Sequence, residues 1–214
     1  MIRKILTMLV AAFVIFVVPS LFLYADALSH SKWWAAVAVC ILASLTQPAY
    51  SPLDRRAPAE DRGTASQLVW TVYLCLIGGV FESLTLRMPD ALTWTWVSSL
   101  ALAVALLGTL LRAWAVARLG RFFTWHVRVQ SGQSVISTGP YRLVRHPSYT
   151  GAWLLYVGLL LAIDARIAAT LMGLLLFYGF ARRIRYEESL MRQTFGDEYA
   201  AYCLRVKRLV PLIW

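Results

Sequence analysis

Two clusters in this 214-residue chain combine side chains that could do chemistry. The first is Gly139-Pro140-Tyr141-Arg142-Leu143-Val144-Arg145-His146-Pro147-Ser148-Tyr149-Thr150-Gly151, set between apolar segments. Pro147 restricts His146 to an extended backbone and favours a helix start just beyond it. The free N–H groups of that first turn, with the helix dipole behind them, suit an anionic group. The second cluster is Arg182-Arg183-Ile184-Arg185-Tyr186-Glu187-Glu188. Arg183 and Glu187 are four apart and share one helical face. Glu188 and Arg192 follow the favoured acid-before-base order, so that pair is assigned to structure, and Arg183 and Glu187 are kept for the site.

Other chemistries find no support. Cys40, Cys75 and Cys203 are far apart, and His30, His126 and His146 lack metal-ligand spacing, so neither a disulfide framework nor a metal site is expected. No Ser/His/Asp or Cys/His set is evident. No Gly-x-Gly-x-x-Gly follows a strand, so a Rossmann cofactor domain is not expected.

The elements that must position these residues are membrane helices. The composition is 59% hydrophobic and 15% charged, and apolar runs long enough to cross a bilayer recur. We expect an all-α integral membrane protein of five to six spans, near 5–25, 33–49, 67–86, 94–117, 151–163 and 166–181. The last two runs are short and form a helical hairpin that returns Tyr149 and Arg183 to one membrane face. The stretch from Ile5 to Tyr24 is longer than a signal-peptide core, so a retained first span is expected.

The net charge of +10 is not spread as a nucleic-acid footprint would be, and no nucleic-acid partner is expected. Of the 21 Lys and Arg residues, 18 fall on one side of these spans and three (Lys32, Arg87, Arg166) on the other. That asymmetry places both termini in the cytoplasm and allows contact with anionic membrane lipids. Arg112, Arg118 and Arg121, with Trp114, read as anchors where the fourth span leaves the membrane. Arg142 and Arg145 read as phosphate- or lipid-facing anchors. Glu82, five residues before Arg87, reads as structural. The polar stretch Ser51 to Gln67 is a cytoplasmic connector or a lid over a cofactor site. Phe122 to Ile136 has β-branched and aromatic residues around a Ser131-Gly132-Gln133 turn, which predicts a short hairpin or flap.

Arg145-His146-Pro147-Ser148-Tyr149-Thr150-Gly151, followed by Arg183 to Glu188 and Phe195-Gly196-Asp197-Glu198-Tyr199, resembles the isoprenylcysteine carboxyl methyltransferases. The resemblance runs from Leu107 to the C-terminus, and Asp61-Arg62-Gly63-Thr64 is similar to a loop of the bacterial branch. It implies an integral membrane enzyme, in a bacterial inner membrane, using S-adenosylmethionine (SAM). It divides the single membrane domain into helices 1–106 and a cofactor-binding catalytic half, 107–214. By the same resemblance the cofactor contacts fall on Gln130, Gln133, Ser134, Val135, Ile136, Tyr141, His146, Pro147, Ser148, Tyr149 and Glu187. Tyr141, His146 and Tyr149 can stack on an adenine or face a sulfonium. Arg183 matches the position that holds the acceptor carboxylate. The implied acceptor is lipophilic, with a carboxylate of an isoprenylcysteine-like substrate foremost. Relatives that methylate phospholipid amines or small thiols offer an alternative. Sterol-type NADPH reductases share a similar turn, but in them an acidic residue follows the glycine, where this chain has Ala152. A small transporter would need polar residues at mid-membrane depth, and these spans contain few.

Overall fold

The computed structural model describes residues 2–48 and 61–210, with side chains from residue 5 onward. The connector residues 51–60 lie outside the described residues. The chain forms α1 (Ile2–Ala12), continuing through a wide turn at Phe13–Val17 into α2 (Val18–Leu23), then α3 (Ser31–Leu45), α4 (Thr64–Leu86), α5 (Trp96–Leu119), α6 (Pro147–Ala162) and α7 (Arg166–Arg205). Four segments are long and apolar enough to cross a membrane: Ile5–Leu23, Thr64–Leu86, Trp96–Phe122 and Arg166–Arg205. The shorter apolar helices Ser31–Leu45 and Pro147–Ala162 complete the expected six. Leu74, Leu107 and Leu174 face outward, as lipid-facing residues of an integral membrane protein do.

Local chemistry sets the boundaries. Thr95 and Ser98 cap α5 reciprocally, Ser98 N–H donating to Thr95 Oγ1 at 3.1 Å and Thr95 N–H to Ser98 Oγ at 3.0 Å. Glu82 is structural, as expected. Its carboxylate accepts from Ile167 N–H at 3.0 Å and Ala168 N–H at 2.8 Å, capping α7, and pairs with Arg87 at 3.2 Å.

The expected hairpin of α6 and α7 forms, but its second arm is not short. α7 runs 40 residues, ~60 Å at 1.5 Å per residue, about twice the hydrocarbon thickness. Arg, Glu, Met and Leu are strong helix formers, so the helix continues past the membrane as a charged cytoplasmic rod. It breaks at Gly196, whose φ of 49° lies in the region that favours glycine. The chain then doubles back, and residues 206–209 lie along the His-Pro turn as a strap. Arg145 N–H donates to Lys207 O at 2.7 Å and His146 N–H to Arg208 O at 3.0 Å.

Phe122 to Ile136 is not a hairpin, since no strand occurs among the described residues. It is an irregular flap whose polar groups find side-chain partners instead of a ladder. Val127 N–H donates to Asp61 Oδ1 at 3.0 Å, and Trp125 Nε1 to Pro48 O at 3.0 Å.

Helices α5 and α6 are in backbone contact. A Cβ on Gly151 would lie 2.6 Å from Gly108 O and 2.8 Å from Arg112 N, and one on Gly108 would lie 2.6 Å from Gly151 O. Membrane helices use small residues this way because lipid gives little drive for helix pairing, so close van der Waals contact must supply it. This contact seats the motif turn against α5. Gly151→Ala should therefore destabilise by about 1–3 kcal/mol, read as a lowered thermal midpoint in detergent. Gly78→Ala, with open space around it, should leave the midpoint unchanged or slightly raised.

Candidate active site

The His-Pro turn opens α6 at the cytoplasmic end of the helix bundle, facing the rod of α7 and the flap. Between them lies a cavity of about 160 Å³. Of the residues singled out from sequence, Gln133, Ser134, Val135 and Ile136 line it from the flap, and Tyr141, His146, Ser148 and Tyr149 from the turn. Glu187 lines it from α7. Gln130 and Pro147 do not: Gln130 Nε2 donates to Arg121 O at 2.8 Å, and Pro147 is buried in the first turn of α6. Tyr141 is buried with its hydroxyl 3.4 Å from Ala115 O. Burial, then the nearby Glu187 charge, pushes its phenol above the usual range, so it remains a proton donor.

Three rings form a stack on the turn. His146 and Tyr149 are nearly parallel, with centroids 5.5 Å apart, and Tyr149 and Phe180 follow at 4.8 Å. The Tyr149 hydroxyl donates to Glu187 Oε1 and accepts from Arg183 Nε at 2.7 Å. Arg183, only 4% exposed, also donates from Nε to Glu187 Oε1 at 2.9 Å. Its Nη1 reaches Asp61 Oδ1 and Thr64 Oγ1, both at 3.2 Å, and its Nη2 reaches Trp125 O at 2.7 Å. Of its five hydrogens, one on Nη2 is left over among the described residues.

A second, apolar cavity of about 500 Å³ lies deeper, walled by α1, α3, α4, α6 and α7. The two cavities share Phe123, Thr124, Ser148 and Tyr149 as a common wall. Arg183 lines the apolar cavity rather than the polar one, on the far side of Tyr149 from the flap.

Sequence reasoning missed three residues here. Arg112 is not an interfacial anchor; it is buried and lines the apolar cavity. Its Nη1 donates to Ser148 O and Oγ at 2.9 and 2.8 Å, and its Nη2 to Gln47 Oε1 at 2.8 Å. Its Nε is buried without a partner, and no carboxylate pairs with it among the described residues. The available signal was its register. Ala105, Gly108 and Arg112 fall on one small-residue stripe of α5, the face that meets α6.

Asp61 is fully buried and accepts from Arg183, Val127 N–H, Thr64 Oγ1 and Ala65 N–H. Its place in a polar connector concealed it. Glu188 pairs not with Arg192 but with Arg145 at 2.8 Å and Arg208 at 3.0 Å, and lies 3.3 Å from His146 Nε2. The i,i+4 rule describes an exposed helix face, and this face is covered by the strap. Arg145 is likewise a buried clamp rather than a lipid-facing anchor, donating also to Cys203 O at 3.1 Å and to Val206 O.

The chain matches the isoprenylcysteine carboxyl methyltransferase (ICMT) family over residues 100–193. It is 33% identical over 144 residues to a probable protein-S-isoprenylcysteine O-methyltransferase of Oryza sativa subsp. indica, covering 65% of this chain and 75% of that protein. The chain belongs to the ICMT family. It is also 33% identical over 120 residues to protein-S-isoprenylcysteine O-methyltransferase B of Arabidopsis thaliana, covering 55% of this chain and 61% of that relative's length. The solved structure of the eukaryotic intramembrane Ras methyltransferase ICMT shares the fold, with a TM-score of 0.58, at 22% identity over 92% of this chain and 86% of that one. The family match contains Arg112, the flap, the motif turn, Arg183 and Glu187. It leaves out Asp61, the α1, α3 and α4 walls of the apolar cavity, and the strap.

Glu188→Ala would strip the buried Arg145 of its only carboxylate among the described residues. Such a loss typically costs about 3–5 kcal/mol. The expected result is a lower thermal midpoint, together with proteolytic cleavage in residues 197–210 at protease doses the native protein survives.

Proposed function

We propose that this chain is a SAM-dependent methyltransferase that methylates the carboxylate of a lipophilic, isoprenylcysteine-like acceptor at the membrane edge. The observation that carries this reading is the junction. A small polar and aromatic cavity on the rod side meets an apolar one within the bundle, with buried Arg112 and Arg183 beside the shared wall.

The polar cavity suits SAM. Tyr141, His146 and Tyr149 offer ring faces to an adenine or a sulfonium, and Glu187 accepts from hydroxyl or amino groups. Gln133 to Ile136 supply backbone groups from the flap. SAM brings the activated methyl group. The acceptor tail takes the apolar cavity, and its carboxylate lies between the two guanidinium groups. Arg112 supplies the uncompensated charge, and Arg183 adds its remaining Nη2 hydrogen while its other donors hold Tyr149, Glu187 and Asp61 in place. A carboxyl with a pKa near 3.5 is ionised at neutral pH, so no general base is required. The carboxylate oxygen takes the methyl group as the sulfonium–methyl bond breaks, leaving a neutral thioether and a neutral ester. Orientation and exclusion of water are what the protein contributes. An amine acceptor would be protonated and repelled by the same two cations.

The test is methyl transfer from labelled SAM to a prenylcysteine-like acid, with SAM affinity measured separately. Arg112→Gln should lower kcat/KM about 10–100-fold, the loss of one charge-assisted hydrogen bond, and leave SAM affinity nearly unchanged. Arg183→Lys should lower turnover similarly, because the planar fork is lost. Tyr149→Ala and Glu187→Ala should weaken SAM binding itself. Normal turnover in Arg112→Gln would remove the charge pairing from the reading. With a carboxylate acceptor, kcat/KM should not climb toward an amine pKa as pH rises.

The charge asymmetry supports an inner-membrane orientation with both termini and the SAM cavity cytoplasmic. Cysteines placed at Arg3 and Lys207 should react with the same impermeant reagent from the same side. Labelling from opposite sides would reverse one end.

A further inference from the structure

The apolar cavity has a floor. Its α4 wall runs from Ala65 to Leu76, a depth of ~16 Å at 1.5 Å per residue, and its α1 wall from Thr7 to Ile15 is ~12 Å. Half a hydrocarbon core is ~15 Å, so the cavity ends near mid-membrane. Within one turn beyond the deepest lining residues the interior becomes solid. Phe16 follows Ile15, Val80 follows Leu76, Leu159 and Leu160 follow Tyr156, and Met172 lies one turn outward of Leu176. All five are fully buried, and none lines the cavity. Phe16 is set edge-on to Trp33, with ring centroids 6.0 Å apart. Four helices thus contribute to one packed layer, which Trp33 of α3 extends.

We infer that this layer is a chain-length stop. An extended chain advances roughly 1.2 Å per bond, taking three bonds per 3.6 Å residue repeat. A tail of three isoprene units, twelve in-chain bonds, then reaches ~14 Å and fits; a fourth unit extends it to ~19 Å and meets the floor. The acceptor class is therefore a carboxylic acid bearing a single tail of about three isoprene units. The headgroup rests on the methyl-transfer reading above, whereas the stop rests on the cavity alone. Close-packed interiors yield little to an extra group, so the stop is steric.

The test uses S-prenyl thioether acids with tails of two, three and four isoprene units, on the full protein in nanodiscs. Both kcat/KM for methyl transfer and the ligand-induced rise in thermal midpoint are measured. Each should increase from two units to three, with kcat/KM rising about tenfold or more, then falling about tenfold at four. Val80→Ala, which deepens the floor at the smallest side chain, should bring the four-unit acid within about twofold of the three-unit one. Phe16→Leu provides the same reading from α1 if Val80→Ala does not accumulate. Equal efficiency and equal thermal shift for three and four units in the native protein would overturn the stop, the tail then leaving sideways between α1 and α4. Absence of turnover with every acid, while thermal shifts still peak at three units, would count against methyl transfer and support the stop.

Discussion

A guanidinium withdrawn from water is tolerated only when acceptors surround it, and most of the site's construction follows from burying Arg183. Its donors reach Asp61 and Thr64 at the start of α4, the Trp125 carbonyl in the flap, Tyr149 on α6 and Glu187 on its own helix. The flap has no strand partner, yet it occupies a defined place because Arg183 and Asp61 bind its backbone. Asp61 holds Val127 N–H with the same oxygen that accepts from Arg183. One charge therefore joins four chain segments distant in sequence. Tyr149, between Arg183 and Glu187, is fixed in the plane that stacks on His146.

Arg112 is buried to a similar degree but treated differently. Neutral acceptors, Ser148 and Gln47, take its Nη hydrogens, its Nε is unpartnered, and no carboxylate joins it among the described residues. Leaving a buried cation uncompensated is costly, so the arrangement is one in which an incoming anion relieves a deficit already present. Arg183 has its counter-charges in Asp61 and Glu187, and Arg112 does not. Two arginines at one junction thus differ in role through their partners rather than their chemistry.

The sequence carried the parts of this fold that depend on local composition. Apolar runs near 20 residues marked the spans, and Pro147 marked the start of α6. The His-Pro-x-Tyr turn and the Arg183/Glu187 spacing pointed to the polar cavity, where His146, Ser148, Tyr149 and Glu187 meet. What it concealed depends on contacts made at long range. Arg112 reads as an anchor by position, because arginines at span ends usually are. Only the close approach of Gly108 and Gly151 turns it inward. Glu188 reads as half of an exposed pair until the returning strap covers that face and brings Arg208 to it. The flap reads as a hairpin because its residues favour strands, but propensity needs a partner edge and none is offered. Gln130, carried over with the flap, is turned toward Arg121 by the same irregular path.

The length of α7 explains how two solvents can be served by one site. Met172 belongs to the packed floor, Leu176 and Phe180 to the apolar wall, Arg183 to the junction and Glu187 to the polar cavity. From Met172 to Glu187 is ~22 Å along a single unbroken helix, at 1.5 Å per residue. Had the helix ended where the apolar run ends, near residue 181, Glu187 would sit on a loop whose position bore no fixed relation to the floor. With the helix continuous, the depth available to a tail and the place of the polar cavity are set by the same rigid element. The break at Gly196 then falls where continuity would be harmful. A straight rod would carry Tyr199 and Tyr202 into the cytoplasm, whereas the positive φ at Gly196 turns them back to close the far wall of the polar cavity.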